Sequence, residues 1–373
     1  MTEAADKPLT VLLTNVWLDR RGGTETVVRD ISLGLLRRGH RPIVYSPILG
    51  EPAQELHERG VATISDLSKL AEPPDVIHGQ HFIQTGEALL HFPGTPAIQM
   101  CHAWLYWQEA PAKFPQIHRY VAVDQTVRDR LVHTQQIPPD KVEVVYNAVD
   151  LTRIPKRAEE LPARPSKALA FTKFKAQVPL IEAACQRHGI QVDVLGAGGD
   201  RTVSKPEHEL VKYDLVFATA RMALEAICAG CAAIVCDSRG LAEMVSSDNL
   251  SRLRPLNFGL RSLVHPVTVD SLDAEIGRYD PADAARVSDT VRAIAGLEPT
   301  LDYLERLYRA AIAAPPASAA DVRSASLQFL QQVLPRQRDD RRWPWMAERE
   351  AMEKRIQQLE RELAAARRQS LTS

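Results

Sequence analysis

The chain alternates short, largely apolar segments with longer segments whose apolar residues recur at helical spacing. Residues 9–14 form one such apolar segment, and the stretch from Thr24 to Arg38 carries Val27, Ile31 and Leu35 on one face. Strands that are apolar on both faces and are separated by helices are typical of a parallel sheet covered on both sides. This alternation restricts the fold to the α/β class.

The alternation runs along the chain in two series. The first predicts further strands at residues 42–46, 76–78, 97–101, 119–123 and 142–146. The second predicts strands at residues 168–172, 191–195 and 232–236, with a helix at 178–188. Residues 151–167 hold several prolines and many charges, as expected of a linker between two domains.

Residues 214–245 are the most informative part of the second series. They predict a strand, a helix, a strand and a second helix, with Glu225 inside the first helix. In open parallel sheets the carboxyl ends of the strands form the ligand crevice, and helix N-termini there attract phosphate. A carboxylate within an apolar run is costly unless it finds a partner. Glu225 is therefore the strongest single candidate for contact with a ligand hydroxyl.

Composition excludes several classes of protein. The net charge of −1 argues against nucleic acid as the main partner. The five cysteines lie mostly in apolar runs, and Cys228 and Cys231 lack the second pair of a zinc site, which predicts buried thiols in a reducing compartment. The sequence shows no signal peptide and no run of about 18 apolar residues. We therefore expect a cytoplasmic protein.

The predicted organisation has three parts. Residues 1–155 form a first α/β domain, residues 156–334 a second α/β domain with a helical end, and residues 335–373 a basic linker and a coiled-coil helix. Four residues have heptad spacing: Met352, Ile356, Leu359 and Leu363. This helix suggests a homo-oligomer. The arginines and tryptophans of the linker suit peripheral membrane contact, with a solvated linker as the simpler alternative.

Two groups of candidate site residues come from the first domain. Gly22 and Gly23 follow the first strand and permit close approach of a ligand, while Thr24 can cap the next helix. His102 follows the strand at 97–101, and its aromatic neighbours at 104–107 suit the face of a sugar. For each group a purely structural role remains the alternative. A metal held by His102 with the other strand-end histidines is disfavoured, because no carboxylate joins them at a telling spacing.

The second domain supplies cations and a glycine-rich loop. Lys173 and Lys175 follow the strand at 168–172, where two cations can neutralise a diphosphate, although loop lysines are often only solvated. Gly198 belongs to a loop at 196–199 that would admit a base or ribose close to the backbone. Glu243 is a further carboxylate candidate near the end of residues 214–245.

Four motifs, in this order, resemble the retaining glycosyltransferases of family 4: Gly22-Gly23-Thr24-Glu25, Val144-Val145-Tyr146-Asn147-Ala148-Val149-Asp150, Glu225-Ala226-Ile227-Cys228-Ala229-Gly230 and Gly240-Leu241-Ala242-Glu243. The resemblance covers roughly residues 8–310. It implies the GT-B fold, with two Rossmann-like, doubly wound domains facing a cleft and usually a late helix that crosses back to the first. It also implies a nucleoside-diphosphate sugar of the UDP or GDP type as co-substrate, with no metal and no other cofactor.

The resemblance also implies residue roles. Glu225 resembles the glutamate that binds the donor ribose, and Lys173 or Lys175 the basic pair on the diphosphate. Gly22 and Gly23 resemble the loop beneath the phosphates. His102 resembles the histidine near the transferred sugar, while Gly198 and Glu243 are further donor-binding candidates. The family has a second glutamate eight positions before Glu225, where this chain has Phe217.

The implied function is transfer of a hexose to a cell-surface glycan or lipid-linked acceptor, with retention of configuration, in the cytoplasm or at the inner face of the membrane. Two alternatives stay open. One is a non-catalytic GT-B scaffold subunit of a glycan-assembly complex, which Phe217 favours. The other is a GT-B-like sugar-nucleotide epimerase, which would share the fold and the crevice.

Overall fold

The computed structural model of the protein describes residues 7–172, 175–196 and 206–334, together with residues 354 and 358. The described residues form two α/β units, each built on its own sheet, which confirms the predicted fold class. Lys173, Gly198 and the heptad residues of the tail lie outside the described residues.

The first domain contains a seven-stranded parallel sheet. Its strands are β1 (Thr10–Thr14), β2 (Arg41–Tyr45), β3 (Ala62–Ile64), β4 (Val76–Gln80), β5 (Ala97–Cys101), β6 (Ile117–Ala122) and β7 (Val142–Val144). The intervening helices are α1 (Gly23–Arg37), α2 (Glu51–Glu58), α3 (Phe82–His91) and α4 (Gln125–Asp129). The spatial order β3-β2-β1-β4-β5-β6-β7 reverses the winding between β1 and β4. Sheets of this kind bind ligands at the carboxyl ends beside that reversal.

The second domain contains a five-stranded sheet in the order β12-β11-β10-β8-β9. Its strands are β8 (Lys167–Phe171), β9 (Gln191–Leu195), β10 (Leu215–Ala218), β11 (Ala232–Asp237) and β12 (Gly240–Met244). Its helices are α5 (Val178–Arg187), α6 (Pro206–Leu210), α7 (Ala220–Ala229), α8 (Leu250–Leu253), α9 (Val269–Ile276) and α10 (Pro281–Ile294). The winding reverses between β8 and β10, so this domain also has a crevice at its carboxyl edge.

Strand β12 corrects one prediction. The sequence predicts a helix at the end of residues 214–245, but β12 runs antiparallel to β11. Only Ser238 and Arg239 separate the two strands, and two residues suffice for a hairpin but not for a crossover to a parallel strand. Leu241 and Ala242 enter different apolar clusters of the second domain, as adjacent residues of a strand do.

Helices α11 (Leu297–Ala313) and α12 (Ala319–Val333) follow the second domain in sequence but pack on the first. Tyr308 of α11 and Phe329 of α12 are part of the core of the first domain. The prediction of a single second domain over residues 156–334 is therefore corrected for these two helices. An amphipathic pattern shows that a helix has an apolar face but not which sheet covers it. The late crossing helix that the family resemblance implies is present.

Other expectations concern cysteines and membranes. All five cysteines are buried, as predicted, and burial raises the pKa of the Cys228 and Cys231 thiols to about 12. Both thiols are therefore protonated at neutral pH.

Within the described parts of the chain, no helix combines the length and the apolar character that crossing a bilayer requires.

The contact between α12 and α3 gives a prediction for Gly86. A Cβ at this position would lie 2.1 Å from the ring of Phe329. We expect Gly86→Ala to destabilise the protein by about 1–3 kcal/mol, because the ring must move out of a packed core. Thermal or urea denaturation measures the change. Gly94→Ala is the matched control, since a Cβ there meets no described atom within 4 Å. Equal stability of the two variants would contradict the close packing of α12.

Candidate functional site

The glycine loop that follows β1 lies at the carboxyl edge of the first sheet. Gly22 is the residue before α1, and a Cβ there would lie 2.2 Å from the Glu25 carboxylate. A Cβ on Gly23 would meet no described atom within 4 Å, so the backbone is open to a ligand at this point. Thr24 does not cap the helix as predicted, because α1 starts at Gly23 and the Thr24 hydroxyl contacts Glu25 Oε2 at 3.2 Å.

His81 and His102 converge on Glu109, a residue that sequence reasoning missed. Glu109 is buried, and its Oε1 lies 3.3 Å from His81 Nε2 while its Oε2 accepts the backbone N–H of His102 at 2.8 Å. Although burial opposes ionisation, hydrogen bonding to His81 lowers the pKa of Glu109 to about 2. The carboxylate thus fixes the loops after β4 and β5. Its signal in the sequence is that Glu109 is the only acidic residue between His102 and His118.

His102 lies at the end of β5 and is partly exposed. Its Nε2 is 3.0 Å from Gln80 Oε1, and because an amide oxygen only accepts, Nε2 carries the proton. Nδ1 therefore holds the lone pair. Burial lowers the pKa of His102 to about 4, so the ring is neutral at neutral pH. A neutral imidazole of this tautomer can accept a hydrogen bond from a substrate hydroxyl through Nδ1.

The third strand-end histidine has a structural role. His78 is fully buried in β4, and its Nδ1 lies 2.6 Å from the Tyr308 hydroxyl. Burial lowers its pKa to about 3, so it stays neutral at physiological pH. Among the described residues, no group of three or more histidine, cysteine or acidic side chains could hold a metal ion.

An aromatic loop follows His102. Trp104, Leu105 and Tyr106 expose 39%, 58% and 52% of their surface. The buried guanidinium of Arg130 donates to the carbonyl oxygens of Ala103 and Tyr106, at 2.5 and 2.8 Å. These bonds hold the loop backbone in place, so three apolar side chains face solvent beside His102. Such a surface suits the apolar face of a sugar ring or a lipid chain.

Glu225 lies in α7, and the structure supplies the partners that its burial requires. Its Oε1 accepts hydrogen bonds from Arg153 at 2.8 Å and from Arg221 Nε at 3.0 Å. Both hydrogen bonds to this carboxylate found within the described residues use Oε1. Oε2 is therefore the oxygen on which a ligand hydroxyl would have to bind.

Arg221 connects Glu225 to the first domain. Its guanidinium donates to Asp30, a fully buried carboxylate of α1 that also lies 3.5 Å from Arg153 Nε. We call Asp30, Arg153, Arg221 and Glu225 the interdomain ion network. Buried ions lose hydration, and only close pairing with opposite charges compensates that loss. The network therefore fixes α7 of the second domain against α1 of the first.

Phe217 occupies the place of the second family glutamate and is almost fully buried in β10. Its side chain packs in the apolar cluster between the sheet and α5. Strand β10 ends at Ala218 and α7 begins at Ala220. The one residue between them is Thr219, which carries no charge, so this turn presents no carboxylate.

The remaining second-domain candidates stay predictions. Lys175 is exposed just before α5. Glu243 lies in β12, where Arg252 contacts its carboxylate and Arg278 lies 3.9 Å away. Hydrogen bonds from Asn249 and Arg252 outweigh burial and lower the pKa of Glu243. The structure shows Glu243 in these surface pairs, separate from the interdomain ion network.

The interdomain ion network gives a stability prediction. We expect Arg221→Met to destabilise the protein by about 3 kcal/mol, because Asp30 and Glu225 lose a buried partner while Arg153 remains near both. Urea denaturation measures the loss. The matched control is Arg187→Ala, which removes an exposed pair with Asp270 and should cost less than about 1 kcal/mol. Similar losses in the two variants would contradict the buried network.

The neutral state of His102 gives a pH prediction. The folded pKa of His102 lies below the ordinary value of 6.5, so the unfolded chain binds more protons than the folded protein between about pH 6.5 and 4. The free energy of unfolding therefore decreases as the pH is lowered through this range. Because the ring is partly exposed, we expect this contribution to be about 1–2 kcal/mol. His102→Gln should flatten the pH dependence of the unfolding free energy there. His57→Gln, at an exposed position, should leave it unchanged. Identical slopes for wild type and His102→Gln would refute the assignment.

Comparison with known proteins shows which proteins this chain resembles. The model for Glycosyltransferase Family 4 matches residues 21–153. No curated protein matches the chain. Among solved structures, a glycosyltransferase from Rickettsia africae ESF-5 is 14% identical, with a TM-score of 0.56, and covers 83% of this chain and 100% of its own. Anabaena HepE in complex with UDP-glucose is 13% identical, with a TM-score of 0.57, and covers 80% of this chain and 98% of its own.

WaaG, a glycosyltransferase involved in lipopolysaccharide biosynthesis, is 13% identical, with a TM-score of 0.51, and covers 82% of this chain and 100% of its own. These likenesses extend over both domains and establish the fold. The family match and the four sequence motifs agree over the first domain. By its fold and by these motifs, the chain resembles the glycosyltransferases of family 4, with the two facing Rossmann-like domains of the GT-B fold.

Proposed function

We propose that the protein is a glycosyltransferase that moves a hexose from a nucleoside-diphosphate sugar to a glycan or lipid-linked acceptor. The observation that carries this proposal is the pairing of two ligand-type sheet edges. The first presents His102 and the aromatic loop at 103–106, and the second presents α7 with Glu225. Anabaena HepE binds UDP and UDP-glucose, which supports a donor of the UDP type, with GDP as the alternative.

The second domain would hold the donor. In this proposal Glu225 Oε2 accepts a hydrogen bond from a ribose hydroxyl, while Arg153 and Arg221 hold Oε1 and orient the carboxylate. Lys175, with Lys173, would neutralise the diphosphate as it departs. Cations and the N-terminal end of α7 stabilise the negative charge that develops on the leaving group.

The first domain would hold the acceptor and the transferred hexose. His102 Nδ1 would accept a hydrogen bond from a sugar hydroxyl, and the aromatic loop would cover an apolar face of the acceptor. The acceptor hydroxyl would attack the anomeric carbon on the face that the diphosphate leaves, and its proton would pass to the departing diphosphate oxygen, so the anomeric configuration is retained. The chain's own groups supply these contacts without a metal or other cofactor. We place the reaction in the cytoplasm, at the inner face of the membrane where the acceptor is lipid-linked.

A second candidate function is a non-catalytic GT-B scaffold in a glycan-assembly complex. Two observations favour it: Phe217 is buried where the family has an acid, and two arginines already bind Glu225. Homo-oligomerisation through the tail would serve such a role. If Glu225→Ala preserved glycan synthesis in cells and deletion of residues 335–373 abolished it, the scaffold would replace the transferase.

The transferase proposal gives an activity prediction. UDP-, GDP- and ADP-sugars are assayed for transfer and hydrolysis, and at least one should be turned over. We expect His102→Ala to lower kcat/KM about tenfold or more, because a hydrogen bond to substrate is lost in the transition state. His133→Ala, at an exposed position outside the cleft loops, is the control and should retain full activity. Neither turnover nor binding with any of the sugars would refute the transferase.

A further inference from the structure

The buried Phe217 raises the question of which group replaces the missing carboxylate at the donor site. A carboxylate is present at the carboxyl end of the neighbouring strand, β11. Asp237 ends β11 and is 2% exposed. It lies beside the turn between β10 and α7, because its Oδ2 is 3.4 Å from the Thr219 hydroxyl. An acid is therefore present at this edge, one strand away from Phe217.

Asp237 is bound to Arg239 in the turn between β11 and β12. Arg239 Nε lies 3.1 and 3.2 Å from the two carboxylate oxygens, and the backbone N–H of Arg239 donates to Oδ1 at 2.8 Å. A forked pair of this kind fixes the direction of the guanidinium. The Arg239 side chain is 37% exposed, so the fixed guanidinium also reaches solvent.

A cavity of about 280 Å³ lies next to this pair. Its polar wall consists of Gln177, Ser238, Arg239 and Gly240, and Leu180 is among its apolar residues. Gln177 is 2% exposed, and its Oε1 has no hydrogen-bond partner among the described residues. A buried acceptor without a partner is unfavourable, and the donor group of a bound ligand would satisfy it.

The cavity lies at the carboxyl edge of the second sheet, between the turn that joins β11 to β12 and the start of α5. Hydrogen bonding to Asp237 raises the pKa of Arg239, and the nearby Tyr106 side chain contributes to the same shift. Tyr106 belongs to the aromatic loop at 103–106, which we assign to the acceptor. A group bound at Arg239 would lie at the carboxyl edge of the second sheet, where sheets of this kind bind ligands.

We propose that this cavity, lined by Gln177, Ser238 and Arg239, binds the sugar ring of the donor, an assignment that rests on the proposed transferase function. Hydroxyl groups both donate and accept, and here they meet an acceptor, Gln177 Oε1, and a donor, the Arg239 guanidinium. Asp237 positions Arg239 and does not itself line the cavity. The volume is below the roughly 300–1,000 Å³ of pockets for drug-sized ligands, as suits one ring.

The test separates the sugar from the nucleotide. Calorimetry measures the Kd of UDP-glucose, GDP-mannose and ADP-glucose, and of UDP, GDP and ADP, for the full-length protein. With the nucleotide sugar that binds wild type most tightly, Gln177→Leu and Arg239→Ala should each raise the Kd about tenfold. The Kd of the matching diphosphate should change less than twofold. Arg286→Ala, which removes an exposed arginine paired with Asp283, is the control and should change neither Kd.

Two results would overturn the assignment. Equal weakening of the nucleotide sugar and the diphosphate would place the nucleotide in the cavity instead of the sugar. Unchanged binding of the nucleotide sugar in both variants would remove the cavity from the donor site. If Arg239→Ala does not fold, Gln177→Leu alone decides between these results. If wild type binds all the diphosphates and none of the nucleotide sugars, the transferase proposal fails as well.

Discussion

The relative placement of the two domains depends on a group of buried charges. Asp30 of α1 and Glu225 of α7 share Arg221 and Arg153, and each of the four side chains is largely buried. Burial of ions is unfavourable unless every charge is paired closely. The pairing requires that the two helices keep a single register, and this register brings the two ligand edges face to face.

The same network changes how Glu225 should be understood. Considered alone in its helix, the Glu225 carboxylate has no hydrogen-bond partner and would need one from elsewhere. In the structure its Oε1 belongs to the contact between the domains, so a ligand on Oε2 would bind to the same carboxylate that connects them. Donor binding and the position of the domains would then be linked through a shared side chain. Arg221 and Arg153 carry this link, since each of them contacts both carboxylates.

Much of the fold could be predicted from local pattern. The strands at Ala97–Cys101 and Gln191–Leu195 have the predicted bounds, because the residues that follow mark their ends: His102 follows the first, and the glycine-rich residues 196–199 follow the second. Strand β12 was predicted wrongly, since its pairing with β11 depends on a two-residue turn and not on its own periodicity. The site was predictable where one residue stands alone at a strand end, as His102 does. The site was not predictable where partners come from distant elements, as Arg153 does for Glu225 and Asp30 does for Arg221.

By itself, the sequence determined the α/β class, the order of strands and helices along the chain, and the four motifs that resemble family 4. These depend on neighbouring residues, because hydrophobic periodicity and loop composition are local properties. Tertiary structure alone decided that α11 and α12 cover the first sheet, that Asp30 meets Arg221, and that Asp237 stands at the edge where Phe217 carries no charge. Such contacts join residues far apart in the chain, and only the packing of whole elements brings them together.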